Sequence, residues 1–126
     1  MREDYTPAER HLMKRWLEMS DEALREAGQG ILSEHTRTCA AFDSGYVCAL
    51  YLLGPGSLKR FVEHPSDEAL REVSELVGVN MSAAVEFVEF RYSDPTRMPA
   101  LSAMLEWAEV MRERVPIDRS KPLLEQ

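Results

Sequence analysis

The stretch Thr38–Leu53, TCAAFDSGYVCALYLL, is the most apolar run in the chain and holds one charge, Asp43. Its helical periodicity extends back to His35. With His35 at 0°, Cys39, Phe42, Tyr46, Ala49 and Leu53 all fall within about 40° of it. Val47, Cys48, Tyr51 and Leu52 cover the other sides. A helix apolar on most of its circumference is central in a bundle or lies at a subunit interface. The spacing therefore predicts a central helix over about 34–53, opened by Ser33 or Glu34 and stopped by Gly54-Pro55-Gly56-Ser57.

The rest of the chain reads as amphipathic helix to lay against it. Thr6-Pro7-Ala8-Glu9 is a helix start, with Thr6 as N-cap, Pro7 at N1 and Glu9 closing a capping box. Leu12, Met13, Trp16 and Leu17 follow on one face. Ser20-Asp21-Glu22 has the form of a second N-cap, so the first helix is expected either to break at Met19–Ser20 or to kink there and continue. Leu58–Glu63 is expected to form one or two helical turns. Ser66 should cap a helix with the stripe Leu70, Val73, Leu76 and Val77, ending at Gly78. A further helix starts at Asn80 or Ser82 and runs to about Tyr92. It has two apolar stripes, Val85, Val88 and Tyr92 on one side and Phe87 and Phe90 on another. Ser93-Asp94-Pro95-Thr96 is a turn. The last helix spans about Pro99 to Val115, with Leu101, Met104, Leu105, Ala108, Met111 and Val115 inside and Trp107 and Val110 roughly opposite. No run shows sustained strand alternation. The fold class is all-α, an up-and-down bundle of about five helices forming one domain over 9–115, with a C-terminal tail over 116–126.

The heptapeptide SDEALRE occurs at Ser20–Glu26 and again at Ser66–Glu72. Both copies have the composition of a helix N-terminus, a cap and two acids followed by strong helix formers. Duplication of a helical hairpin is the sharper alternative, but the segments C-terminal to the two copies align poorly.

Fifteen Lys and Arg against twenty-two Asp and Glu give a net charge of −7, which argues against holding DNA by bulk electrostatics. Cys39 and Cys48 are nine residues apart, about 900° around a helix, and so face opposite ways and cannot pair within it. Two buried, unpaired thiols suit a reducing cytoplasm. The N-terminus has no apolar signal region, and the central stretch is too short and too interrupted to span a bilayer. A cytoplasmic chain without a membrane partner is expected.

The run Ala23–Leu53, a small-residue-rich helix followed by AAFDSGYVCALYLLG, resembles the paired long helices of HEPN domains (higher eukaryotes and prokaryotes nucleotide-binding). Those helices often carry an alanine- and tyrosine-rich core. FVEFRYSDPTRMPALSAMLEWAEVMRERV, Phe87 to Val115, resembles their C-terminal part. There an arginine and an aromatic-acid pair precede a turn and a long helix rich in Ala, Leu and Glu. The resemblance covers about residues 9 to 115. It departs where catalysis would lie, because active HEPN ribonucleases share an Arg-x4–6-His motif in which Arg and His act on the phosphate and ribose. Arg60 to His64 has three intervening residues and meets Pro65. Lys59 to His64 has the spacing but the wrong cation, and Arg91 has no downstream His. The resemblance thus implies a non-catalytic member that needs no cofactor and binds a nucleotide, RNA or protein partner, often as a dimer.

Asp43, the lone charge of the central helix, calls for a partner, and Arg91, between Phe90 and Tyr92, is the first choice. With His35 and Arg37 these make the expected ligand-binding site. A plainer role for Asp43 and Arg91 is a structural ion pair. His35, Cys39 and Asp43, spaced i, i+4, i+8, can also present a metal-ligand row along one helix. The plainer alternative puts His35 near a helix start, Cys39 in the core and Asp43 at its margin. His11, His35 and His64 lie on three segments, which is similar to the DinB-like four-helix metalloenzymes that take one histidine from each of three helices. Arg10, His11, Lys14 and Arg15 form a basic patch, as do Lys59 and Arg60. Solvated faces are the simpler account of both. Trp107 with Val110, and Phe87 with Phe90, sit on second faces and lead to the expectation of a homodimer, extra core being the alternative.

Overall fold

The computed structural model describes residues 5–55, 67–92 and 98–115. They form five helices: α1 (Pro7–Ala27), α2 (Glu34–Leu53), α3 (Asp67–Val77), α4 (Ser82–Tyr92) and α5 (Leu101–Arg114). There is no strand among them, and the protein is an all-α bundle. Leu58–Glu63, expected to form one or two helical turns, and the expected turn Ser93–Thr96 lie outside the described residues, as do Ser66 and the tail.

Local chemistry sets the helix ends. At the start of α1 the Glu9 amide donates to the Thr6 hydroxyl and the Thr6 amide to the Glu9 carboxylate, both at 3.0 Å. These two bonds satisfy amide donors that a helix start otherwise leaves unmet. Arg37 of α2 closes the other end of α1, its Nε donating to the Ala27 carbonyl at 2.8 Å. Ser33 caps α2 by accepting from the Thr36 amide. Gly54 stops α2 at φ +99°, in the left-handed region that favours glycine.

Side-chain contacts give the helix directions. Ser20 meets Ser44 and Cys48, and Ala27 meets Arg37, so α1 and α2 are antiparallel. Phe87 packs on Phe42 and Phe90 on His35, so α4 is also antiparallel to α2. Thr38 faces the groove beside Leu101 and Leu105, whereas Gly45 faces Trp107, so α5 runs parallel to α2.

The core is centred on Phe42. Its ring stacks with Phe87 at 4.5 Å, Tyr46 at 5.5 Å and Trp107 at 5.8 Å, contacts worth about 0.5–1.5 kcal/mol each beyond burial. Trp107 lies against Gly45, where any Cβ would fall inside the contact distance of the indole. The Trp107 indole N–H donates to the Met81 sulfur at 3.2 Å. Trp107 and Phe87, placed on second faces by the helical wheel, are therefore buried within one chain. They are extra core and lend no support to a homodimer. On α4 the buried residues are Ala84 and Phe87, and Tyr92 is exposed, the reverse of the expected stripe.

The first helix does not break at Ser20. Its hydroxyl crosses to α2 and so does not turn back to cap its own helix. Ser44 donates to the Ser20 carbonyl at 2.8 Å. With the Ser44 proton so used, the Ser20 hydroxyl donates to Ser44 Oγ at 3.0 Å and accepts from the Cys48 thiol at 3.2 Å. All three side chains are buried, and the network meets the rule that buried polar groups are paired. Next to it, Arg112 of α5 donates from Nε and Nη2 to the two carboxylate oxygens of Asp21, at 2.8 and 3.2 Å. That hydrogen bond is the main reason the guanidinium is held still further above its ordinary value.

Two substitutions test this architecture. Gly45→Ala should improve intrinsic helix propensity by about 1 kcal/mol yet lower net stability by about 2 kcal/mol, because the new methyl displaces the indole. Urea unfolding followed by tryptophan fluorescence measures it. Asp21→Ala should cost about 2 kcal/mol by removing a bidentate partner from a mostly buried guanidinium, read from the same titrations.

Candidate functional site

A helix buried on most sides leaves little surface for chemistry, and α2 leaves one strip. Glu34, His35 and Asp43 are its exposed residues, and Cys39, between His35 and Asp43, is partly exposed. The expectation that both thiols are buried thus holds for Cys48 but not for Cys39. Residues four apart on a helix stack above one another, and the His35 Nε2 to Cys39 Sγ distance is 3.7 Å. Phe90 of α4 meets the His35 ring edge-on, with centroids 6.2 Å apart and planes at 63°. Beyond it Phe90 touches Phe87 at 6.0 Å, so an aromatic series leads from His35 into the core at Phe42.

A groove of about 630 Å³ opens beside this strip. One wall is the start of α2, with Glu34, His35 and Thr38. The other is the lead-in to α5, with Met98, Pro99, Leu101, Ser102 and Leu105. Its size is that of a small-molecule site. The first turns of two parallel helices thus meet at one opening. Ser33 caps α2, while Ala100 gives α5 no side-chain cap. A second groove of about 330 Å³ lies between the start of α4 and α5, against Trp107 and Arg114.

The four residues expected to bind ligand are divided. His35 lines the groove. Arg37 faces away from it, committed to the Ala27 carbonyl. Asp43 and Arg91 are both exposed. Arg91 acts on Asp43 through its charge, and no ion pair between them is found among the described residues. An ion pair that does tie helices together is Asp21–Arg112. No sequence signal marked it, since its partners are 91 positions apart.

The metal readings separate similarly. His11 is exposed on α1, whose N-terminal end lies beside the C-terminal end of α2, where Tyr5 approaches Gly54. His35 is at the opposite end of α2, about 27 Å away by helical rise. The structure does not bring His11 and His35 together, and His64 lies outside the described residues, as do Lys59 and Arg60. No group of three His, Cys, Asp or Glu side chains placed to hold a metal is found among the described residues, so Asp43 does not complete a row with His35 and Cys39. The basic patch of Arg10, His11, Lys14 and Arg15 is exposed, with Arg15 paired to Glu18 and Glu22.

Burial pushes the Cys39 thiol up, with Arg91 opposing and Asp43 adding to the effect. A thiol raised in this way is a poor nucleophile at neutral pH. No family model matches the chain, and neither a curated protein nor a solved structure is significantly similar to it. Among the described residues no helix is long and apolar enough to cross a membrane.

Desolvation lifts the Asp43 carboxyl above its ordinary range, Arg91 pulls it partly back and Glu26 pushes it up. The folded chain then holds this proton more tightly than the unfolded chain. Stability is lost as pH rises from the unfolded carboxyl value to the folded one. The side chain is exposed as well as desolvated, so solvent screening keeps the effect small. Asp43→Asn should raise stability at neutral pH by roughly 0.5 kcal/mol, a gain that fades as the pH falls to the ordinary carboxyl value. Thermal melts across that range check it.

Proposed function

We propose that this chain is a non-catalytic, cytoplasmic helical binding module of HEPN-like type, and that its ligand is a nucleotide held in the groove between the starts of α2 and α5. The observation that carries the proposal is the groove itself, where two helix N-termini meet beside apolar walls. Helix N-termini favour phosphate through their amide groups and dipoles. Met98, Pro99, Leu101 and Leu105 offer a base an apolar surface, and His35 and Ser102 add polar contacts at the rim. Glu34 stands on the same rim and works against a highly charged polyphosphate, which favours a ligand with few phosphates over RNA.

A binding role fits the chemistry better than a catalytic one. The spacing of Arg60 and His64 does not match the nuclease motif, and the Cys39 thiol beside His35 is raised. Cys39 and Cys48 form no disulfide, which supports a reducing compartment. With Trp107 and Phe87 buried in the core, dimerisation is not part of this proposal.

A thermal-shift panel of mono-, di- and triphosphate nucleosides and a short RNA tests it. A nucleotide at 100 times its dissociation constant should stabilise the fold by about 2.7 kcal/mol, several degrees for a domain of this size. Ser102→Glu, exposed and in the first turn of α5, should abolish the shift while leaving the melting temperature of the free protein within a degree or so. A flat panel, or a shift that survives Ser102→Glu, would sink the proposal.

A further inference from the structure

The nucleotide proposal uses His35 at the groove rim but neither Cys39 nor the contact between the two. Zinc binds histidine nitrogen at about 2.0–2.1 Å and thiolate sulfur at about 2.3 Å, usually tetrahedrally, which puts two such donors about 3.6 Å apart. His35 Nε2 and Cys39 Sγ are 3.7 Å apart. We propose that these two side chains form a bidentate surface site for a borderline-soft divalent cation of the zinc and cobalt class, one per chain, with water filling the other positions.

Three further features fit this site. The donors sit one turn apart on a well-formed helix, so the backbone fixes their spacing. The edge contact with Phe90 restrains the imidazole ring. His35 is exposed and Cys39 partly so, which leaves a path for the ion. On binding, the Cys39 S–H bond breaks, its electron pair goes to the metal, and its proton leaves to the buffer. The imidazole gives its lone pair without further change. Asp43, one turn beyond Cys39, adds negative charge near the site, and Arg91 opposes it. With two protein donors and no third among the described residues, a four-coordinate ion keeps two positions for water, fewer protein ligands than either structural or catalytic zinc sites hold.

Cobalt(II) titration of the reduced protein tests the inference, because a cobalt–thiolate bond gives an intense near-ultraviolet charge-transfer band. The band should appear in the native chain and saturate at one equivalent. It should vanish in Cys39→Ser, weaken at least tenfold in His35→Ala, and persist in His11→Ala. Zinc should also slow alkylation of Cys39 in the unmutated chain at least tenfold, with chelator restoring the rate, which guards against a variant that fails to fold. No band, a band that survives Cys39→Ser, or alkylation indifferent to zinc would mean the contact is only a thiol–imidazole hydrogen bond. Ser102→Glu should leave the cobalt band intact, so failure of the nucleotide proposal and failure of the metal site are separable.

Discussion

The missing side chain at Gly45 lets the Trp107 indole rest on the backbone of α2, and much of the bundle depends on that contact. It sets how closely α5 approaches the central helix. Phe42 then stacks against both Trp107 and Phe87, so one aromatic layer joins α2, α4 and α5. Because α2 and α5 run parallel across this layer, their first turns lie side by side at one end. The groove is built there. Its position follows from the packing geometry at Gly45 as much as from the residues that line it.

On the other side of α2 the constraint is polar. Ser20, Ser44 and Cys48 are small enough to let α1 and α2 approach closely, and they satisfy one another's hydrogen bonds when buried. The Asp21–Arg112 pair ties α1 to α5 across the same region. The two SDEALRE copies show how context decides what a segment does. The first lies mid-helix, its serine and aspartate turned to tertiary contacts, whereas the described part of the second begins α3, with Ala69 and Leu70 fully buried. Cap-like composition is a property of a short segment, and tertiary packing overrode it in the first copy.

The helices were legible because their ends are local. Thr6, Ser33, Gly54 and Gly78 each act within a few residues, and the periodicity around Phe42 and Tyr46 identified the central helix. The faces of α4 and α5 were not. A helical wheel sees one helix, but Phe87 and Trp107 are buried by two neighbours at once, one of which presents a glycine. Arg112 was overlooked for a similar reason, since Asp21 comes near it only through the tertiary fold. Of the candidate site, His35 and its i+4 relation to Cys39 could be read from spacing. The groove could not, because its second wall comes from Met98–Leu105, distant in sequence. Arg37 was assigned to a ligand when its bond goes to the end of α1.

The exposed strip of α2 bears on the binding role we propose. Acid–base and nucleophilic chemistry need groups whose proton affinity is drawn toward neutral pH by a partner. Here desolvation raises both the Cys39 thiol and the Asp43 carboxyl, and Arg91 only offsets the effect. That direction moves the thiol away from the thiolate that attacks, while Asp43, exposed and screened, shares no hydrogen bond with His35 among the described residues. A neutral thiol beside an imidazole can still give up its proton when a metal takes its place, and the ends of two helices can still receive an anion. A strip that is weak at moving protons but open to ligands supports the binding role we propose.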